Sequence, residues 1–98
     1  MNGQERPVAV RNSLRMLADQ ARSEAALLDL SDPEHAFYAG VAAAAEDRLH
    51  PAVGDIHDER WLARESTPFR DGYLKASSVI ANAGPEQVRL MLPTYAPA

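Results

Sequence analysis

The sequence predicts an all-α domain, a small bundle of four to five helices that forms a dimer. Apolar residues recur at intervals of three and four positions, which is the helical period. Capping residues and prolines divide the chain into segments of helical length, and no stretch has the alternation of a credible strand. We expect one domain over 1–98, with irregular tails at 1–6 and 93–98.

The first helix is predicted over about 8–30. Its apolar residues are spaced 4, 3, 4, 4 and 3 positions apart, close to the heptad spacing of bundles and short coiled coils. They are Val10, Leu14, Leu17, Ala21, Ala25 and Leu28. The arginines between them lie away from this seam and are interpreted as a solvated face.

The second helix, predicted over 33–50, has the clearest boundaries in the chain. Ser31 and Asp32 offer a capping oxygen, and Pro33 suits a first turn. Pro51 stops the helix, because the residue before a proline is disfavoured in helical geometry. Its large apolar residues share one side, whereas the opposite side carries small residues around Gly40. The sequence therefore predicts a central helix that packs on two faces.

Two further helices are predicted after a turn at 51–55. A short one over about 56–65 contains Trp61, the only tryptophan, interpreted as a core anchor or a partner contact. A longer one over about 68–83 takes Thr67 as its cap. Leu74 lies out of phase with the apolar face of this helix.

A last short helix, Val88 to Leu92, is predicted to stop at Pro93.

The composition and net charge favour some classes of function and argue against others. The chain is 46% hydrophobic but only 6% aromatic, and many apolar residues are alanine. Such a core is thin for a domain of this size, which favours a dimer. The net charge of −4 argues against nucleic acid and anionic membranes as partners. There is no cysteine, so thiolate chemistry is excluded. Nine arginines against one lysine, with the alanine excess, are interpreted as the high-GC coding bias of a bacterial protein.

The leading interpretation is a small interaction or accessory protein that acts through helix-face packing, as a homodimer or with a protein partner. No cofactor and no catalytic activity of its own are expected. Serines lack the glycine pattern of a nucleophile elbow, and the glycines are too scattered for a phosphate-binding loop. The N-terminus has no apolar signal-like run, so a cytoplasmic location is expected. The predicted interface residues are Leu14, Leu17, Leu28, Trp61 and Leu74.

The first alternative is a metal-binding protein. Glu46 and His50 are one helical turn apart on the same side, and the following turn could return His57 or Asp58 to them. Imidazole and carboxylate together suit zinc, iron, manganese or nickel.

The second alternative is a DNA-binding regulator, since helix, turn and helix follow one another from Ala42 to Trp61. However, the presumed recognition helix carries Asp55 and Asp58 in its first turn, and these carboxylates would repel phosphates.

Overall fold

A computed structural model describes residues 8–49, 59–83 and 90–96 of the chain. Within these ranges the secondary structure is helical, and no strand occurs. The helices are α1 (Val8–Ala26), α2 (Pro33–Leu49), α3 (Glu59–Ala63) and α4 (Thr67–Asn82). The prediction of an all-helical chain is confirmed for this part. The long helix α2 packs against both α1 and α4, so it is the central element, as its two faces predicted.

The predicted seam of α1 is the buried face of that helix. Leu14 is 0% exposed and Leu17 is 1% exposed, and both belong to the core. The helix ends at Ala26, earlier than the predicted end near Leu30. The backbone N–H groups of the next two residues bond to the carbonyl three residues earlier instead of four. Leu27, for example, donates to the carbonyl of Glu24 at 3.2 Å. This tightening is typical of a helix end.

The start of α2 follows its sequence signals. The Asp32 carboxylate accepts a hydrogen bond from the Glu34 N–H at 2.9 Å, and the Asp32 carbonyl accepts from the His35 N–H at 3.0 Å. Pro33 is the first residue of the helix, where its missing N–H costs nothing. The predicted start is confirmed. The helix reaches Leu49, and His50 lies outside the described residues.

Helices α2 and α4 touch at two glycines. A Cβ placed on Gly40 would meet the Phe69 carbonyl oxygen and lie 2.9 Å from the Tyr73 nitrogen; one on Gly72 would meet the Phe37 carbonyl oxygen. The two backbones thus approach more closely than any side chain allows. The small-residue face of α2 therefore does pack against a helix, and that helix is α4.

The start of α4 differs from the prediction by one position. Ser66, not Thr67, is the cap, and its side chain accepts a hydrogen bond from the Phe69 N–H at 3.5 Å. Thr67 is the first helical residue, and Pro68 also lies in the first turn. Both hydroxyl residues are competent caps, so sequence alone could not choose between them.

The short helix α3 lies within the predicted range of 56–65, although residues 51–58 are outside the described part of the chain. Leu62 is 8% exposed and belongs to the core. The ring of Trp61 is half-buried and lies 5.8 Å from the ring of Phe69, measured between centroids. The anchoring role predicted for Trp61 agrees with this contact.

The end of the chain corrects a prediction. A helix was expected from Val88 to Leu92, but residues 90–92 are not helical, and residues 84–89 lie outside the described ranges. Residues 90–96 instead form an irregular segment on the core. Leu90 is 8% exposed. The ring of Tyr95 lies 5.4 Å from the ring of Phe37. A single turn stopped by a proline is too short to be stable as a helix by itself.

Candidate functional site

Several large apolar side chains stay exposed among the described residues. Each is at least half exposed, although scattered exposed apolar residues are ordinary and only a marked case is informative. They are Met16 (50%), Leu27 (80%), Leu30 (86%), Leu74 (57%) and Met91 (75%). Leu27 and Leu30 are the most exposed of them, and they lie three residues apart in the connection between α1 and α2. We call this connection, residues 27–32, the leucine turn.

The structure distributes the five predicted interface residues differently. Leu14 and Leu17 are in the core of the chain itself, packed between α1 and its neighbours. Leu28 and Trp61 are partly buried against that core. Only Leu74 is free of the core, on the outer side of α4. The structure therefore does not bring the five together into one exposed surface.

The leucine turn is held by hydrogen bonds at both of its ends. The Asp32 N–H donates to the Asp29 carbonyl at 2.9 Å. Nδ1 of His35, in the first turn of α2, lies 2.8 Å from the Ala25 carbonyl oxygen. A carbonyl can only accept, so Nδ1 is the donor. These bonds fix the path of the chain, so the exposure of Leu27 and Leu30 follows from the backbone geometry.

Sequence reasoning missed this turn because it extended α1 to Leu30. No glycine or proline interrupts residues 26–30, and their apolar spacing continues the helical seam. The start of α2 did offer a signal that α1 must end earlier. If Asp32 caps α2, the chain needs several preceding residues to reverse direction, and those residues cannot remain in α1.

The carboxyl end of α2 joins all three long helices. Arg22 of α1 donates to Glu46 through both Nε, at 2.8 Å from Oε2, and Nη2, at 2.5 Å from Oε1. This fork geometry is the specific way in which a guanidinium binds a carboxylate. The hydrogen bond to Glu46 is the largest of the effects that raise the pKa of Arg22. The arginine side chain is 57% exposed, so the pair contributes little to stability.

The next two residues of α2 bind α4. The Tyr73 hydroxyl donates to Oδ2 of Asp47 at 2.6 Å, and Nη1 of Arg48 donates to the same hydroxyl oxygen at 3.1 Å. Burial, followed by the hydrogen bond to Asp47, raises the pKa of Tyr73 to about 12. The arrangement is a neutral phenol held between two charges, and it fixes the relative position of α2 and α4.

Of the four predicted metal ligands, only Glu46 lies within the described residues. Glu46 is described, and both of its oxygens accept from Arg22. His50, His57 and Asp58 lie outside the described residues. No group of three histidine, aspartate or glutamate side chains that could hold a metal occurs within 8–49, 59–83 and 90–96. A metal at Glu46 would have to displace a bidentate guanidinium. The metal site stays a prediction.

Comparison with family models, with curated proteins and with solved structures gives no match for this chain. No helix in the described part of the chain is long and apolar enough to cross a membrane. The functional argument therefore depends on the surface of the molecule itself.

Proposed function

We propose that the protein is a small helical interaction protein that binds a second copy of itself through the apolar side chains its helices and the leucine turn leave exposed. It has no catalytic activity of its own. The observation that carries this proposal is the exposure of Leu27 and Leu30, 80% and 86%, on a turn whose path is fixed by hydrogen bonds. Burying a leucine contributes about 1.5–3 kcal/mol, so an interface that covers both is favourable.

The composition of the core supports the same proposal. Among the described residues, half of the buried apolar side chains are alanines, from Ala18 in α1 to Ala76 in α4. Alanine brings little apolar area out of water, so the monomer gains less from burial than a leucine-rich core of equal length would. Association adds apolar burial that the single chain lacks. The cytoplasmic location and the bacterial origin expected from the sequence stay predictions.

The mass in solution tests the proposal. Light scattering after size exclusion, at micromolar concentration, is expected to give twice the chain mass of 10.7 kDa. Replacing an 86% exposed leucine, Leu30→Ser, removes its contribution to the interface. The dimer dissociation constant should rise at least about tenfold, since 1.4 kcal/mol is one factor of ten and both copies lose a leucine.

The matched control is Ser31→Ala, an exposed position in the same turn that carries no large apolar group. It should leave the dissociation constant unchanged. Both variants should unfold like the original chain, because exposed substitutions usually change stability by less than about 0.5 kcal/mol. A mass of one chain throughout the micromolar range contradicts self-association. Another protein would then be the occupant to consider.

A further inference from the structure

The outward side of α1 continues into the leucine turn. Met16 is 50% exposed and Leu27 is 80% exposed. They are eleven residues apart in the sequence, which is close to three turns of an α-helix. The Leu27 N–H still bonds to the Glu24 carbonyl at 3.2 Å, so the backbone keeps a helical course up to this residue. Both side chains therefore lie on one side of α1, about 16 Å apart along its axis. The exposed Gln20 and Ser23 lie between them, and we call the side that carries these four residues the outer face of α1.

The charges along α1 and the leucine turn change sign from one end to the other. Residues 8–18 include Arg11 and Arg15 and no carboxylate. Between residues 19 and 34 the sequence has one basic residue, Arg22, and its guanidinium is bound to Glu46. The same stretch contains five carboxylates, which are Asp19, Glu24, Asp29, Asp32 and Glu34. The surface is therefore basic near the start of α1 and acidic around the exposed leucines.

The stability of α1 by itself does not account for this distribution of charge. A helix favours carboxylates in its first turn and cations in its last turn, because its dipole is positive at the amino end. Helix α1 has neither; Arg11 lies in its first turn and Glu24 in its last. Among the described residues, the side chains of Arg15 and Asp29 have no ion-pair partner, and both residues are exposed. These charges are therefore available to another molecule.

A second copy that runs in the opposite direction supplies the complementary charges. When two α1 helices pack antiparallel about a two-fold axis midway between Met16 and Leu27, Met16 of each copy lies beside Leu27 of the other. The same register brings Arg15 of each copy next to Asp29 of the other. Such a contact is self-complementary and closes as a dimer. A contact between two leucine turns, in contrast, would bring the carboxylates of both copies together, and juxtaposed like charges are unfavourable.

We propose that the outer face of α1 binds the same face of a second copy with the two helices antiparallel, so that the basic start of each α1 lies on the acidic leucine turn of the other copy. This inference rests on the proposed self-association and adds its surface and its direction. Burial of Met16 and Leu27 supplies affinity, because it removes apolar area from water. The charges supply specificity, because they favour the antiparallel arrangement and disfavour the alternatives.

Two charge-reversal variants of the full chain, Arg15→Glu and Asp29→Arg, test this arrangement. In the antiparallel dimer, each variant alone sets like charges against each other at both symmetry-related contacts. Its dimer dissociation constant, measured by sedimentation over a dilution series at low salt, should rise at least about tenfold. In an equal mixture of the two variants, the new carboxylate of one chain meets the new guanidinium of the other, and the second contact is the original one. The mixture should therefore restore the original dissociation constant.

The outcomes separate this inference from the proposed function. Arg64→Glu makes the same change of charge at an exposed position outside α1 and should leave the dissociation constant nearly unchanged. A dimer that neither variant weakens, or that the mixture does not restore, overturns the antiparallel arrangement and leaves self-association standing. A monomeric original chain overturns both. Should a charge variant lose its helical circular dichroism, Met16→Ser decides. Loss of both Met16 side chains should raise the dissociation constant at least about tenfold, and an unchanged value overturns the proposal.

Discussion

Replacing Gly40 by alanine tests the closest contact in the fold. By helix propensity alone, the change should stabilise α2 by about 1 kcal/mol. In the structure, however, the added Cβ would meet the Phe69 carbonyl oxygen and lie 2.9 Å from the Tyr73 nitrogen. Carbon atoms normally approach other atoms to about 3.5–4.0 Å. Both obstacles are backbone atoms of α4, so no side-chain rotation relieves the overlap, and the helices must separate.

The steric overlap should cost more free energy than the better helix propensity of alanine contributes. Overpacking a rigid site costs about 1–3 kcal/mol and sometimes more, and a backbone-to-backbone contact belongs at the upper end. After subtraction of the propensity gain, Gly40→Ala should lower the free energy of unfolding by about 2 kcal/mol or more. That is a large part of the roughly 5–15 kcal/mol that a domain of this length possesses.

Urea unfolding, followed by circular dichroism and Trp61 fluorescence, measures the effect. With a slope of about 1–2 kcal/mol per molar, the midpoint should fall by roughly 1–2 M. The matched control is Ser23→Ala, an exposed position in α1, which should be neutral or slightly stabilising. Gly72→Ala should behave like Gly40→Ala, and the double variant should cost less than the sum, since one separation relieves both overlaps. A Gly40→Ala chain as stable as the original, at unchanged slope, refutes the crossing.

Two further variants test the polar contacts of α2. Asp32→Ala removes the oxygen that accepts from the Glu34 N–H at 2.9 Å and should lower the free energy of unfolding by about 1 kcal/mol in urea titrations, whereas Asp32→Asn should retain most of it. Tyr73, with its pKa raised to about 12, stays a neutral phenol in the folded chain at pH values where the unfolded chain already loses the proton. Stability should therefore fall by roughly 1–2 kcal/mol as the pH rises from 10 to 12, because solvent screening weakens the effect and part of the fall lies outside that interval. Tyr73→Phe should show a correspondingly smaller fall in urea titrations over that interval, and an equal fall in both chains contradicts the assigned burial.

Local signals account for the parts of the fold that the sequence predicted well. The start of α2 depends on Asp32 and Pro33, which act within one turn of where they stand. The exposure of Leu74, which lies out of phase with the apolar face of α4, follows from helical periodicity. The same local reasoning misplaced the cap of α4 by one residue, since Ser66 and Thr67 offer the same chemistry.

Periodicity shows that a face is buried but not what buries it. The seam at Leu14 and Leu17 was interpreted as a partner surface, and within the chain it packs in the core. The exposed Leu30 belongs to a turn whose path depends on a hydrogen bond between His35 and Ala25, ten positions apart. Such bonds form only after the helices have packed, so no local pattern in the sequence predicts them. The position of residues 90–96 was missed for the same reason, because it depends on the contact of Tyr95 with Phe37 of α2, which is distant in sequence.

The glycine contact also makes the crossing of α2 and α4 a pivot. Where side chains separate two helices, changes of rotamer can absorb a small rotation of one helix against the other. Gly40 and Gly72 have no side chain, so their contact cannot adapt in this way. Any rocking of α2 therefore turns about this point, and Asp47 lies seven residues away, at a lever arm of about 10 Å. A rotation of about 10° moves that end by nearly 2 Å on the same lever, enough to break the 2.6 Å bond from Tyr73. The backbone of Tyr73 lies at the pivot, while its hydroxyl binds Asp47 and so holds the angle between α2 and α4. A phenol that has lost its proton at high pH can no longer donate this hydrogen bond, and the angle is then held less firmly.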